Sequence, residues 1–138
     1  MKAVDTSVLL ALLEGDAAVR ELLKRLRGIE IATTEANLLE LSYVAAHGGG
    51  RGRVARREVL DRLRRKITVL PIDARAVEQA ARHLGKEGPR LSPLVLAMLS
   101  ALEVGGCEEL FTRELPAQLG RWKFKVTRLN HSATKSRA

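Results

Sequence analysis

The sequence predicts an α/β fold of three layers, in which a mostly parallel sheet of about five strands lies between helices. Three observations support this prediction. Short β-like apolar runs alternate along the chain with longer runs of helical periodicity. Glycine or proline follows most of these runs, at points where a strand or a helix has to end. The 138 residues, 46% of them hydrophobic but only 3% aromatic, suit one domain with an aliphatic core.

Five runs have the composition of strands, and a turn or a helix start bounds each of them. The predicted strands are residues 2–5, 29–33, 67–70, 109–112 and 123–127. Pro71 ends the third strand, and the second alternates apolar and polar side chains as a half-buried strand does. Because helical segments separate these runs, the strands are expected to pair in parallel.

Helical periodicity and capping residues place the helices between these strands. They are predicted at residues 6–14, 16–27, 34–46, 51–65, 73–85 and 92–104, with a short helix between the last two strands. Asp16, Asp73 and Ser92 stand at positions typical of helix N-caps. Pro93 follows Ser92 at the first helical position, where its missing amide hydrogen does no harm.

The domain is predicted to span residues 1–130, followed by a polar, basic and disordered tail at residues 131–138. The most apolar stretch, residues 91–104, is too short to cross a bilayer, and no signal peptide precedes Asp5. A cytoplasmic protein without membrane contact is therefore expected. A lone cysteine, Cys107, excludes an internal disulfide and a cysteine-based metal cluster, and the three histidines show no ligand spacing.

Positive charge is concentrated in residues 51–66 of a chain whose net charge is +8. Six arginines of this stretch are predicted to bind a polyanion, either RNA or an acidic protein partner: Arg51, Arg53, Arg56, Arg57, Arg64 and Arg65. A solvated, arginine-rich helix face explains the same pattern equally well. Arginine outnumbers lysine, and asparagine and glutamine are scarce, which favours a thermophilic source.

Asp5 is the most informative residue of the chain. It ends the first strand and immediately precedes the helix that begins at Thr6. In open parallel sheets, ligands bind at the carboxyl ends of the strands, where helix N-termini also lie. The same position suits a plain helix cap. The interpretation of Asp5 as a site residue therefore depends on which other residues meet it.

Two further carboxylates stand in unusual places. Glu40 lies in a helix that is apolar nearly all round and is expected to be buried, where a glutamate needs a partner. Either a salt bridge to an arginine or a metal ion would supply that partner. Glu114 follows the fourth strand and is expected at the same sheet edge as Asp5, although by itself it would be an exposed helix cap.

Asp5, Glu40 and Glu114 together predict a metal site. Carboxylates that converge at one sheet edge repel each other, and a hard divalent cation removes that repulsion. Oxygen ligands without histidine or cysteine favour Mg²⁺ or Mn²⁺ over zinc. Beside a basic surface, such an ion can activate water and stabilise charge on a phosphate during hydrolysis.

Four segments resemble the motifs of the PIN-domain family, in order along nearly the whole chain. They are residues 4–13, beginning Val4-Asp5-Thr6-Ser7; residues 34–41, which contain Glu40; residues 92–105; and Leu110-Phe111-Thr112-Arg113-Glu114. The resemblance implies a parallel sheet between helices and a Mg²⁺- or Mn²⁺-dependent ribonuclease of the VapC toxin type. It also implies RNA as the substrate, an antitoxin partner and a homodimer.

The resemblance assigns a role to each of these residues. Asp5 becomes the principal metal ligand, Glu40 a second ligand or the base that activates water, and Glu114 an outer ligand. The supporting residues, expected to hydrogen-bond the carboxylates or to contact the scissile phosphate, are Thr6, Ser7, Thr112 and Arg113.

The third motif departs from the family pattern at Val95, where an active PIN domain carries an aspartate. No aspartate follows Asp73, and Glu103, the nearest acid of the same helix, lies about 12 Å further along it. The alternative to an enzyme with a weakened metal site is an inactive PIN domain that binds RNA or a protein. No glycine-rich loop follows the first strand, which argues against a Rossmann or P-loop nucleotide site.

Overall fold

Five strands form one sheet: β1 (Lys2–Val4), β2 (Ile31–Thr34), β3 (Thr68–Leu70), β4 (Glu109–Thr112) and β5 (Lys125–Arg128). Their order is β3-β2-β1-β4-β5, and every neighbouring pair is parallel. The computed structural model describes residues 1–47, 52–86, 90–116 and 118–130, without the side chains of residues 52–56 and 59. The predicted α/β fold with a mostly parallel sheet is confirmed.

Helices connect the strands and cover both faces of the sheet. Within the described ranges they are α1 (Thr6–Leu13), α2 (Ala17–Arg25), α3 (Glu35–His47), α4 (Gly52–Lys66), α5 (Ala74–His83) and α6 (Pro93–Val104). The side chains of Asp16, Asp73 and Ser92 each accept a hydrogen bond from the amide three residues further on. The N-caps predicted at these three residues are therefore confirmed.

Three predicted elements differ from the structure, and one of them, β5, begins at Lys125 instead of residue 123. β2 begins two residues late because Gly28, with a φ of 85°, turns the chain, and the amide of Ile29 closes this turn on Leu26. No helix forms between β4 and β5 in the described residues 113–116 and 118–124, so the short helix predicted there is wrong. Pro116 lacks an amide hydrogen and Gly120 takes a φ of 103°, and both features disfavour a helix.

The two faces of the sheet carry separate cores, because alternate residues of a strand point to opposite faces. Val4 and Phe111 lie in the core that the sheet shares with α1, α2, α3 and α4. Ala3 and Leu110 lie in the opposite core, which contains the buried side of α6. α5 packs against the outside of α6. This arrangement is the three-layer architecture that the alternation of strands and helices predicts.

The strand register brings three separate segments together at one edge of the sheet. Ala3 pairs with Ala32 of β2 and with Leu110 of β4. Asp5 is therefore level with Thr34 on one side and with Thr112 on the other. No helix in the described part of the chain is long and apolar enough to cross a membrane. The tail predicted at residues 131–138 lies outside the described residues, so its disorder stays a prediction.

Candidate active site

Asp5 occupies the carboxyl end of β1 and is 5% exposed. Its Oδ1 accepts hydrogen bonds from the Ser7 hydroxyl at 2.6 Å and from the Val8 amide at 3.3 Å. Its Oδ2 accepts a hydrogen bond from the Thr112 hydroxyl at 2.5 Å. Asp5 is thus the N-cap of α1, as the simpler interpretation holds, but it is also bound to the end of β4. A helix cap alone does not require the second contact.

Burial raises the pKa of Asp5, even though the hydrogen bonds from Ser7, Thr112 and Val8 act to lower it. The carboxylate has lost more stabilisation from water than its three protein partners restore. A cation beside such a carboxylate would favour its charged form. The electrostatics of Asp5 are therefore those of a buried carboxylate that a cation would stabilise.

Glu40 is exposed, and the burial predicted for it is wrong. The apolar residues of α3 do not all face a core: Leu39 is 72% exposed and Tyr43 is 64% exposed. The composition of this helix therefore misled the prediction. The Glu40 carboxylate has a partner nevertheless, because Oε1 accepts a hydrogen bond from the Thr6 hydroxyl at 2.6 Å. Since Thr6 directly follows Asp5, Glu40 lies at the predicted edge of the sheet.

Asn37 belongs to this site, although sequence reasoning missed it. It is 3% exposed, and its Nδ2 donates to the Thr6 hydroxyl at 3.1 Å. Its Oδ1 accepts a hydrogen bond from the Thr34 hydroxyl at 2.8 Å. Asn37 therefore connects the end of β2 with the Thr6–Glu40 pair. A polar amide one turn before Glu40, in an apolar helix, was the signal that could have identified it.

Glu114 lies just beyond β4, and its side chain is exposed. Its carboxylate makes no hydrogen bond or ion pair with the residues that the structure describes. The backbone amides of Glu114 and Leu115 instead donate to the Thr112 hydroxyl, at 3.3 and 3.2 Å. These bonds orient the hydroxyl of Thr112 toward Asp5. Thr112 supports the site directly, whereas the role of Glu114 as a ligand stays a prediction.

Arg113 is buried and forms an ion pair within the fold. Its Nη1 donates to Oδ2 of Asp16 at 3.1 Å, and both side chains are at most 5% exposed. Its backbone amide donates to the Ser7 hydroxyl at 2.9 Å, and Ser7 in turn donates to Asp5. Arg113 was predicted to contact the scissile phosphate. Its observed contacts are those of a residue that positions Ser7 and, through Ser7, Asp5.

Val95 is half-buried and packs against the core that contains α6. In the described ranges, no three His, Cys, Asp or Glu side chains lie close enough together to hold a metal ion. Glu103 is bound to His83 and Gln79, and Glu87 lies outside the described residues. The donors around Asp5 are carboxylate and hydroxyl oxygens, which fit Mg²⁺ or Mn²⁺ in chemical kind. Because position 95 is a valine, the site lacks the carboxylate that the third motif was expected to supply.

The sequence that forms this fold and this site matches a known protein family. The model of the PIN domain family matches residues 2–103, a range that includes Asp5, Glu40 and most of α6. This chain belongs to the PIN domain family. No match to the sequence is found among the curated proteins. The resemblance drawn from the four motifs is thereby confirmed.

Solved structures with the same fold come from toxin–antitoxin systems. One is a chain of VapBC2 from Rickettsia felis, whose structure was solved bound to a promoter DNA fragment. It has a TM-score of 0.74 and 13% sequence identity, and the alignment covers 94% of this PIN domain and 98% of the Rickettsia felis chain. A chain of VapBC-5 from Mycobacterium tuberculosis has a TM-score of 0.67 at 24% identity, covering 93% and 98%. VapC20 from the same organism, a sarcin–ricin loop cleaving toxin, has a TM-score of 0.58 at 24% identity, covering 80% and 87%.

The basic helix of this PIN domain is only partly described. Arg57, Arg64 and Arg65 are exposed on α4, and Nη2 of Arg64 donates to the Ser42 hydroxyl at 3.0 Å. Arg51 and the side chains of Arg53 and Arg56 lie outside the described residues. The prediction that these arginines bind RNA or a partner, and the alternative of a solvated face, both stay open.

A groove of about 510 Å³ runs between α1, α2, the start of β2 and the end of α4. Its floor is aliphatic, and Arg27, Arg62 and Lys66 stand among its lining residues. A neighbouring depression shares Arg27 and Lys66 and adds Arg20 and Lys24. No acidic side chain lines either depression in the part of the chain that the structure describes. This surface, named the α1–α2–α4 groove below, combines apolar area with uncompensated positive charge.

Proposed function

We propose that this PIN domain is a Mg²⁺- or Mn²⁺-dependent endoribonuclease of the VapC toxin type, with a weakened metal site. Asp5 carries the proposal, because it is a buried carboxylate at a sheet edge that hydrogen bonds tie to both α1 and β4. The likeness in fold to toxin–antitoxin structures and to a sarcin–ricin loop cleaving toxin supports RNA as the substrate.

Each residue of the site has a role in this proposal. Asp5 would hold the ion, with Glu40 as a second ligand. A bound divalent cation supplies Lewis-acid chemistry at the phosphate and lowers the pKa of water. As the base, Glu40 would take a proton from water, and the Thr6 hydroxyl holds its Oε1 for that role. Glu114, which is exposed at the same edge, is the outer ligand.

The second candidate is a PIN domain that binds RNA or a protein without cleaving. Val95 favours it, because an aliphatic side chain in the third motif removes one ligand and excludes water from its surroundings. The basic side chains of α4 would then act through charge alone. This candidate predicts RNA binding that weakens with salt and is indifferent to a chelator.

The two candidates are separated by introducing Val95→Asp and measuring RNA cleavage against Mg²⁺ and Mn²⁺ concentration. A restored carboxylate is expected to lower the metal concentration for half-maximal cleavage about tenfold, equivalent to roughly 1.4 kcal/mol of binding. Val95→Asn serves as the control of similar size without charge, and thermal denaturation checks the fold of both variants. Wild-type cleavage that EDTA abolishes supports the enzyme. Cleavage by Val95→Asp alone supports the inactive domain, and cleavage that resists EDTA excludes metal dependence.

We also propose that an antitoxin segment occupies the α1–α2–α4 groove. The aliphatic floor suits apolar side chains, and the surrounding cations suit acidic residues beside them. The described chain places no acid in this groove, so two copies that docked groove to groove would bring cations against cations. A homodimer stays a prediction, and the exposed Leu39 and Tyr43 on α3 offer it a different surface.

Arg27→Glu is expected to weaken binding of an acidic, amphipathic peptide about tenfold, because it reverses charge at the rim of the groove. The probe is a helical peptide with leucine on one face and glutamate on the other, and its affinity is measured by fluorescence anisotropy. Arg25→Glu makes the same change on an exposed position of α2 that does not line the groove. Equal weakening by both variants would show that net charge, and not the groove, binds the peptide.

A further inference from the structure

A second cationic cavity lies away from Asp5 and Glu40. It has a volume of about 440 Å³ and is lined by Gln79, Arg82, His83, Lys86 and Arg121. α5 starts near the carboxyl end of β3 and runs back along the sheet, and α6 ends just before β4 begins. The cavity, named the α5 cavity below, therefore lies toward the amino-terminal edge of the sheet. Asp5 and Glu40 lie at the opposite edge.

A buried carboxylate holds together the two segments that form this cavity. The side chain of Glu103 on α6 is 4% exposed, and its Oε1 accepts from His83 Nε2 at 2.8 Å and also from Gln79 Nε2. Its Oε2 accepts the backbone amide of Lys123 at 2.8 Å. α5 and the segment that carries Arg121 are thus anchored on one side chain. This anchor fixes the walls of the cavity before any ligand arrives.

One cation of the cavity, Arg82, is preorganised. Oε1 of Gln79 accepts a hydrogen bond from Arg82 Nη1 at 2.9 Å, so the glutamine links Arg82 to Glu103. Burial raises the pKa of Glu103, but the bonds from His83, Lys123 and Gln79 outweigh it and lower the pKa overall. Glu103 therefore stays charged, but it does not line the cavity, and its hydrogen bonds come from His83, Gln79 and Lys123. Every side chain that lines the cavity carries a nitrogen donor.

The helix dipole explains only part of this arrangement. Arg82 and His83 stand in the last turn of α5, where positive side chains stabilise any helix. Arg121, however, comes from the segment before β5, nearly forty residues later in the chain. Its convergence with Arg82 has no such explanation. Two arginines from separate segments line the same cavity, and guanidinium groups are the side chains best suited to bind a tetrahedral oxyanion.

We propose that the α5 cavity binds a phosphate group, carried either by a nucleic acid strand or by a small phosphorylated molecule. Arg82 and Arg121 would each donate to phosphate oxygens, while Gln79 holds Arg82 in place through its Oε1. The binding is independent of the acidic site, because it needs neither Asp5 nor a metal ion. Its test therefore stands whether or not the protein cleaves RNA.

The chain carries its own reporter for this cavity. Trp122 is the single tryptophan of the sequence, and its ring stacks on His83 at a centroid distance of 3.9 Å. Phosphate bound beside His83 is expected to change the fluorescence of Trp122. The full chain is titrated with pyrophosphate and, separately, with a short DNA oligonucleotide that a ribonuclease does not cut. Isothermal calorimetry measures the same titrations without relying on the tryptophan.

Arg82→Gln and Arg121→Gln are each expected to weaken binding about tenfold, because each removes one charge-assisted contact. Arg25→Gln removes the same charge from an exposed position outside the cavity and is expected to leave the affinity within about twofold. Saturation by pyrophosphate identifies a small phosphorylated ligand, and saturation by the oligonucleotide alone identifies a strand backbone. No saturable signal in fluorescence or heat, or equal weakening by Arg25→Gln, would overturn the proposal.

Discussion

Asp5→Asn is expected to lower metal-dependent RNA cleavage at least about 100-fold, which corresponds to roughly 2.7 kcal/mol of activation free energy. The substitution preserves the size of the side chain and its ability to cap α1. It removes the negative charge that would hold the ion at the end of β1. Initial cleavage rates in Mg²⁺ and in Mn²⁺, measured on one RNA for both proteins, test this expectation.

The free energy of unfolding of the wild type, compared with that of the same variant, is expected to depend on pH. Burial raises the pKa of Asp5, so the folded state holds its proton more tightly than the unfolded state. The stabilisation associated with this proton is complete below the ordinary aspartate pKa and is lost as the pH rises through the raised value. Asparagine carries no charge at any pH, although its amide nitrogen cannot accept the hydrogen bond from the Thr112 hydroxyl. Urea unfolding should therefore find that the wild type loses stability relative to Asp5→Asn as the pH rises from acid to neutral.

Asp73→Asn provides a matched control. Asp73 also caps a helix that follows a parallel strand, and its Oδ1 accepts the Ala76 amide at 3.2 Å. It is exposed, and no hydrogen bond or ion pair among the described residues joins it to Asp5. Cleavage by Asp73→Asn should equal that of the wild type. If Asp5→Asn cleaves as well as this control, then Asp5 is only a helix cap and the proposed enzyme is rejected.

The parts of the structure that depend on local signals were predictable from the sequence. Strand composition, helical periodicity and the caps at Asp16, Asp73 and Ser92 are set by neighbouring residues, and they specify a parallel α/β sheet. The position of Asp5 follows from the same logic, since a strand that runs directly into a helix must end at the carboxyl edge. These predictions needed no knowledge of contacts between distant segments.

The predictions that failed depend on which surfaces meet. The apolar pattern of α3 implied burial on all sides, but Leu39 and Tyr43 face away from both cores, and Glu40 is exposed beside Thr6. Arg113 and Asp16 are 97 positions apart in the sequence. The hydrophobic periodicity of a helix or a strand does not predict a pair at such a distance. Asn37 was missed for a related reason, since its partner Thr6 lies 31 residues away. Long-range polar partners are set by packing, which one sequence does not reveal.

Asp16→Asn is expected to destabilise the protein by about 3–5 kcal/mol, because it leaves the buried guanidinium of Arg113 without its carboxylate. Asparagine caps a helix as well as aspartate does, so the hydrogen bond from Val19 survives and the loss reports the ion pair. Urea unfolding at pH 7 measures it. Asp73→Asn, the same exchange at an exposed cap, should cost less than about 1 kcal/mol.

The pH dependence of this loss follows from the pKa of Asp16. Burial acts to raise that pKa, but the Val19 amide and the Arg113 guanidinium outweigh it and lower the pKa overall. The stabilisation from Asp16 is therefore complete above the ordinary aspartate pKa and is lost as the pH falls through the lowered value. The difference between wild type and Asp16→Asn should shrink in strong acid. A difference that is equally large at all pH values would contradict the ion pair as its source.

The double variant Asp16→Asn/Arg113→Met tests why Asp16→Asn destabilises the protein. It separates loss of the attraction between Arg113 and Asp16 from the cost of burying the Arg113 charge without the Asp16 carboxylate. Methionine fills much of the space of the arginine stem without a charge, so the double variant should be more stable than Asp16→Asn alone. The backbone amide of Arg113 still reaches Ser7 in the double variant, and Ser7 still holds Asp5. Cleavage by the double variant should consequently stay close to that of the wild type. Recovery of stability without cleavage would mean that the guanidinium acts on the reaction itself, as the sequence first predicted for Arg113.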